Sequence, residues 1–478
     1  MKLVLIACLL GAELPMQGPA FFAGNDEERA YLLEAAEDHP ALRARYAEWR
    51  ASMERVPQMR ALDDPMFMFG WFVQSMEDRA MVSIGQAFPW FGTRGARADQ
   101  ASAEAEMAMH RFYEARNELF AEVKSAYAEY AYVAEAKRVF EAQAEILRFI
   151  EQIAETRYGM GLTRQFEYLR IQIERSRAEN RIVEFDQMRG AVSARLSRAV
   201  GRTSDPELPW PKEAVLPPHA PPGPVVLARV HQMNPGLAAT EAAAEARDIG
   251  VGLAKKKGKP DFMLEFDYGW MKSPMGTRKG ERALGAAMGT RDTFNAAAEA
   301  NALDFAGSAF DAFSAITDRD RERSQDDASV SLSINLPIWR KKVRAGVAEA
   351  RNMAEAARFE RQSMQLDLES EAREALFRLQ DAQRSHRLYD EDLLPKAQLA
   401  LEGVQSAFGA GDFSVEVRDV LDGVNTLLDL QLERLGAGRD WRQAAAQLEM
   451  VMGGPWTLAG VAEEADDVRE ENETAPEP

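Results

Sequence analysis

The chain has 478 residues, 58 of them basic and 77 acidic, for a formal net charge of −19, with 46% hydrophobic residues, one cysteine and five histidines. That balance allows a large apolar core and excludes a disordered chain, and its acidity argues against nucleic acid as a partner, because phosphate binding needs a Lys/Arg footprint. One cysteine excludes an intrachain disulfide, a Cys-based zinc site and a CxxC redox pair. No apolar run reaches the ~18 residues of a transmembrane helix, so a membrane role has to come through β-strands or a lipid anchor.

In chain order, Lys2, the apolar stretch Leu3 to Leu10 and the small residues Gly11 and Ala12 predict an export signal over residues 1–24. Leu5-Ile6-Ala7-Cys8 also has the form of a lipoprotein box, in which Cys8 would be lipidated; the alternative is a cleaved signal with an incidental cysteine. An amphipathic helix is predicted near Glu27 to Met59, then two strands, Met66–Val73 and Met81–Phe88. A long helix over Arg94–Arg157 ends at Gly159-Met160-Gly161, and another runs to about Val200.

A second copy of this unit follows. His39-Pro40-Ala41-Leu42 returns as Asn234-Pro235-Gly236-Leu237, Val82-Ser83-Ile84 as Val330-Ser331-Leu332, and Tyr158-Gly159-Met160-Gly161 as Phe408-Gly409-Ala410-Gly411. Register held over so many elements marks a tandem duplication. The second copy predicts a helix near Pro235 to Lys255, strands Phe262–Trp270 and Val330–Leu336, a long helical run Lys342–Ala407 and a last helix to about Met452. The organisation expected is a first repeat over 25–201, a connector over 202–226, a second repeat over 227–455 carrying an insertion at 274–327, and an acidic tail over 456–478. Eight prolines between Pro206 and Pro224 predict extended chain in the connector. The insertion reads as a variable surface loop of the second hairpin, with a lid over a pore as the alternative.

Val330, Leu332, Ile334 and Leu336 alternate with Ser331, Ser333 and Asn335, and Phe262, Leu264, Phe266, Tyr268 and Trp270 alternate with Met263, Glu265, Asp267 and Gly269. One face is apolar and the other carries carboxylates, a pattern that fits a membrane barrel and also a half-buried sheet. In the long helices, Leu119, Val123, Ala126, Tyr130 and Val133 are spaced 4, 3, 4, 3, as are Leu368, Ala372, Ala375, Leu379 and Ala382. That repeat predicts coiled-coil packing on close, alanine-rich seams.

No enzyme constellation is present: His39, His110, His219, His231 and His386 are scattered, without an HExxH or Ser/His/Asp order. Met107, Met109 and His110 read as packing residues, so neither a metal site nor a cofactor is expected.

Duplicated strand–strand–long-helix units with Gly-broken helical hairpins resemble the TolC-like outer-membrane efflux proteins over roughly residues 30 to 453. The most specific pieces are Ile84-Gly85-Gln86-Ala87-Phe88-Pro89-Trp90, Leu393-Leu394-Pro395-Lys396-Ala397, Phe408-Gly409-Ala410-Gly411 and Asp419-Val420-Leu421-Asp422. The resemblance implies an α+β membrane protein: a homotrimer with a 12-stranded β-barrel in outer-membrane lipid and a 12-helix periplasmic α-barrel. It implies an exit duct for small-molecule or metal-ion substrates, working with a periplasmic adaptor (membrane fusion) protein and an inner-membrane pump. The alternatives are the outer-membrane component of a protein-secretion system and a soluble coiled-coil scaffold. The family's adaptor-contacting tips match Gly159, Met160, Gly161, Leu162 and Thr163 in the first repeat and Gly409, Ala410 and Gly411 in the second; as a bare turn, the glycines supply positive backbone angles. Asp419 and Asp422 match aspartates that narrow the periplasmic entrance, the alternative being acids that stabilise a helix start.

One expectation is independent of the family. Arg55, Arg60, Arg94, Arg97, Lys255, Lys256, Lys257, Lys259, Arg340, Lys341, Lys342 and Arg344 flank the strands. If both hairpins point the same way, these residues form either a basic collar facing lipid phosphates or a solvated rim.

Overall fold

The computed structural model describes residues 26–73, 78–161, 163–202, 208–211, 215–271, 327–410 and 415–456. Cys8 and the rest of the export segment, the insertion before Asp327 and residues 457–478 lie outside them. In chain order the elements are α1 (Asp26–Asp38), α2 (Pro40–Arg60), β1 (Met66–Trp71), β2 (Asp78–Phe88), α3 (Thr93–Gly159), α4 (Gln165–Val200), α5 (Gly223–Met233), α6 (Pro235–Lys256), β3 (Asp261–Met271), β4 (Asp327–Asn335), α7 (Arg340–Arg387), a π-helical turn (Leu388–Leu393), α8 (Leu394–Ala410) and α9 (Val417–Val451). The chain divides into two compact units. One holds residues up to Trp49, Met107–Glu241 and the chain from Glu360; the other holds Arg50–Glu106 and Ala242–Phe359.

The second of these units is built on one antiparallel sheet in the order β1-β2-β3-β4. Met66 lies opposite Gly85, Phe88 opposite Phe262 and Asp261 opposite Asn335. The start of β1, the end of β2, the start of β3 and the end of β4 therefore share one end of the sheet, with both hairpin connections at the other. At the shared end the Asp261 carboxylate accepts from the Trp90 backbone N–H at 2.9 Å, and Arg94 donates twice to the Arg60 carbonyl.

The other unit is helical. Every residue of the two heptad series is buried: Val123, Val133, Ala372 and Leu379 have no exposed surface at all. One core joins Val225, Val226 and Val230 of α5 to Leu368, Ala372 and Leu379 of α7 and Trp441, Ala445 and Leu448 of α9. A second joins Leu147 and Ile150 of α3, Ile171 of α4, Leu401 and Phe408 of α8, and Val420, Leu421 and Val424 of α9. The connector packs in this unit as well. Tyr130 and Arg189 donate to the Leu208 carbonyl at 2.8 and 2.6 Å, Arg138 donates to that of Pro211, and Trp210 stacks on Tyr130 beneath the Arg189 guanidinium.

Three predicted elements need correction. The first helix is two, divided at His39 before Pro40, because proline cannot donate within a helix and suits its first turn. The extended chain expected of the connector does not reach Pro224: Pro222 is extended, but α5 starts at Gly223, with Pro224 in its opening turn where no N–H is needed. The long helical run of the second repeat is not uniform, since the Leu388–Leu393 turn is π-helical and the Leu394 N–H reaches back to the Tyr389 carbonyl. Pro395 follows directly. Its missing N–H and its ring disturb the preceding turn, whereas α3 of the first repeat has no proline and stays α-helical for 67 residues.

Candidate functional site

The sheet separates two chemistries. The register places Phe67, Phe69 and Trp71 of β1 on one face with Val82 and Ile84 of β2, Phe266 and Tyr268 of β3, and Val330 and Leu332 of β4. This apolar face is bare: Phe67 is 68% exposed, Trp71 65% and Leu332 63%. The opposite face carries Glu265, Asp267 and the β4 serines. There Ser83 and Ser329, which sit opposite Asp267 on its two neighbouring strands, both donate to its carboxylate, at 2.5 and 3.2 Å. An ionised group on a sheet face implies water there, while a bare aromatic face of this size is uncommon on a water-soluble surface. Among the described residues β1 and β4 each pair on one side only, leaving two open edges of the kind that recruit further strands. No described helix is long and apolar enough to cross a membrane, a fact that does not bear on strands.

In the helical unit the structure brings the two predicted tips together. Gly159 closes α3, Met160 is 61% exposed, Gly161 takes φ of +75° and Thr163 is buried. Gly409 and Ala410 close α8; Leu162 and Gly411 lie outside the described residues. Only Gly161 of the described tip glycines uses a left-handed conformation, so Gly159 and Gly409 are helical and do not supply the expected reversal. The sequence reading missed the residue that joins the tips, Arg157. Its Nη1 donates to the Phe408 carbonyl and its guanidinium covers the Phe408 ring.

Asp419 and Asp422 lie on the exposed face of α9, opposite the buried Val417, Val420 and Leu421. Asp419 accepts from the Glu416 N–H at 2.9 Å, the same reach-back that Glu167 makes to the Arg164 N–H at the start of α4. This satisfies an otherwise unpaired N–H of the first turn. Asp422 faces Arg418 at 3.7 Å. The same face continues through the exposed Asp429, Glu433 and Asp440, an acidic stripe not anticipated from the Asp419–Asp422 pair alone. Among the described residues no His/Cys/Asp/Glu group is arranged to hold a metal.

A tandem repeat of strand hairpins with one bare apolar face and long Gly-ended helical hairpins is the layout of an outer-membrane transport channel. The sequence profile described as Outer membrane efflux protein matches residues 32–202 and 226–454, one stretch in each repeat, and the chain belongs to that family, whose members are transport channels and not enzymes. The fold is similar to that of the outer membrane protein VceC from Vibrio cholerae, at 15% identity and a TM-score of 0.67 over 91% of this chain and 98% of that one. It is also similar to the Campylobacter jejuni CmeC outer membrane channel, at 11% identity and 0.67 over 97% and 93%, and to the open state of the Neisseria gonorrhoeae MtrE outer membrane channel, at 15% and 0.66 over 91% and 90%. No curated protein matches the sequence.

Proposed function

We propose that three copies of this chain form an exit duct across the outer membrane, receiving small-molecule or metal-ion substrates from an inner-membrane pump through a periplasmic adaptor. The observation that carries this reading is the four-stranded sheet, apolar and bare on one face, carrying carboxylates and serines among methionines on the other, and open at both edges among the described residues. Three such sheets joined edge to edge give twelve strands, enough to close a barrel around water, with Phe67, Phe69, Trp71 and Leu332 toward lipid and Asp267 toward the lumen. The helical unit then forms the periplasmic stem, with the tips at Gly159–Thr163 and Gly409–Gly411 presented to the adaptor. Asp419 and Asp422 narrow the periplasmic entrance, six carboxylates around one axis that attract cations.

The repeat boundaries at 25–201 and 227–455 divide each subunit into two equivalent units of strand and stem, linked by the 202–226 connector, so that each repeat takes one sixth of the ring. The test is reconstitution of the purified protein into planar lipid bilayers. Discrete conductance steps are expected, and an electrically silent bilayer with protein inserted would refute the duct. Cysteines placed at Met160 and Ala410 identify the partner at the tips by crosslinking in cells, and the adaptor captured there indicates the pump.

A further inference from the structure

The sheet's shared end concentrates positive charge in an otherwise acidic chain. Residues 55–65, 94–97, 255–261 and 340–344 hold twelve basic residues and three acids, Asp63, Asp64 and Asp261, the last engaged by the Trp90 N–H. Lys255, Lys257, Lys259, Arg340, Lys341, Lys342 and Arg344 are exposed, and none of them makes an ion pair among the described residues, although most arginines along the stem do. The placement works against the helices themselves. α3 and α7 both begin at this end without an acid in the first turn, and Arg94, Arg340, Lys341 and Lys342 put cations where the helix dipole is already positive. An external anion relieves that repulsion.

Three further features give the surface its ligand chemistry. Gly92, at φ +72°, turns the chain into α3, and Lys256 Nζ lies so close that a methyl group at Gly92 would sit 2.7 Å from it. The next hydroxyl, Thr93 Oγ1, is buried with no hydrogen-bond partner. Apolar anchors adjoin the cations: Ile338 and Trp339 are 71% and 73% exposed immediately before Arg340, and Trp90 stacks on Phe262 with Lys259 5.8 Å from its ring centre.

We infer that this end of the sheet is a docking surface for the anionic phosphate headgroups of membrane phospholipid, with one phosphate seated at Gly92, Thr93 and Lys256. Ile338 and Trp339 enter the acyl boundary and the surrounding lysines and arginines span the headgroup layer. The inference rests on the proposed membrane placement of the sheet and adds to it a lipid class. Phospholipid is favoured over free phosphate because the cations are distributed around the edge beside exposed apolar side chains instead of converging on one pocket.

The test compares quenching of tryptophan fluorescence by brominated phosphatidylglycerol and brominated phosphatidylcholine, with the full-length protein reconstituted in vesicles of each. The wild type is expected to favour phosphatidylglycerol. Lys255→Gln, Lys256→Gln and Lys257→Gln combined should lower that preference on the order of 100-fold, given the attraction each cation contributes near an anionic surface, and the matching Lys→Arg triple should retain it. Equal affinity for both lipids in the wild type, or an unchanged preference in the Gln triple, overturns the inference. Loss of the preference on adding inorganic phosphate, but not sodium chloride of equal ionic strength, assigns the site to free phosphate and also overturns it. Conductance recorded on the same samples separates the two readings: a Gln triple that conducts without lipid preference leaves the duct intact, and a wild type that selects the lipid without conducting removes only the duct.

Discussion

Arg157 of α3 donates from Nη1 to the Phe408 carbonyl of α8 at 2.6 Å, and its guanidinium stands 4.5 Å from the centre of the Phe408 ring. Both residues are buried, so the contact combines a charge-assisted hydrogen bond with a cation–π interaction in a dry setting. It couples the ends of the two helical hairpins, one from each repeat. Arg157→Ala should destabilise the tips by about 2–3 kcal/mol, read as faster amide hydrogen exchange over residues 150–161 and 401–410 with exchange in the β-strands unchanged. Arg157→Lys should recover part of the protection, and equal exchange in wild type and Arg157→Ala would show the contact to be inert.

The hairpins were legible in the sequence because glycine breaks and 4-3 spacing are local. Leu119, Val123 and Leu379 are buried where that spacing puts them. The Arg157–Phe408 contact was not legible, since it joins residues 251 apart and nothing local marks one arginine among many as buried. The role of Asp419 was half legible. Its place at a helix start was foreseen, but its bond to the Glu416 N–H depends on the turn before α9. The π-helical turn escaped because a single proline inside a strong helical pattern can be absorbed by one widened turn instead of ending the helix.

Asp419 caps α9 and, in the proposed duct, lines the entrance together with Asp422. Replacing both by asparagine keeps polar side chains at the helix start and removes the charge. The expected outcome is reduced block by divalent cations and weaker cation selectivity in single-channel recordings, with thermal stability within about 1 kcal/mol of wild type. Unchanged block and selectivity would remove these residues from the gate and leave only the cap.

Glu28 of α1 provides a pH signature. Burial pushes its carboxyl above the ordinary value of 4.5, Lys124 and Arg442 oppose that rise, and Glu449 adds to it. The folded protein thus holds this proton more tightly than the unfolded chain, so its contribution to stability is full below 4.5 and is lost as pH rises through the folded value. Glu28→Gln should therefore raise the melting temperature at pH 7–8 and have little effect near pH 4. A substitution that lowers the melting temperature at pH 8 contradicts the assignment.

Trp210 anchors the connector, stacked 5.6 Å from Tyr130 and lying 4.7 Å from the Arg189 guanidinium. Trp210→Ala should cost about 2–3 kcal/mol through lost packing and cation–π contact, lowering thermal stability in detergent. It should also open the connector to limited proteolysis near Leu208. Resistance equal to wild type would mean that the backbone hydrogen bonds from Tyr130 and Arg189 hold it unaided.

In the proposed trimer β1 of one copy pairs with β4 of the next. Single cysteines along Met66–Trp71 combined with single cysteines along Ala328–Asn335, in a chain with Cys8 replaced by serine and oxidised in intact outer membranes, test it most directly. Disulfide-linked dimers and trimers that end at the trimer are expected, at alternate pair positions that follow the strand period. Crosslinks that form only within one chain, or ladders that continue beyond three copies, would contradict it.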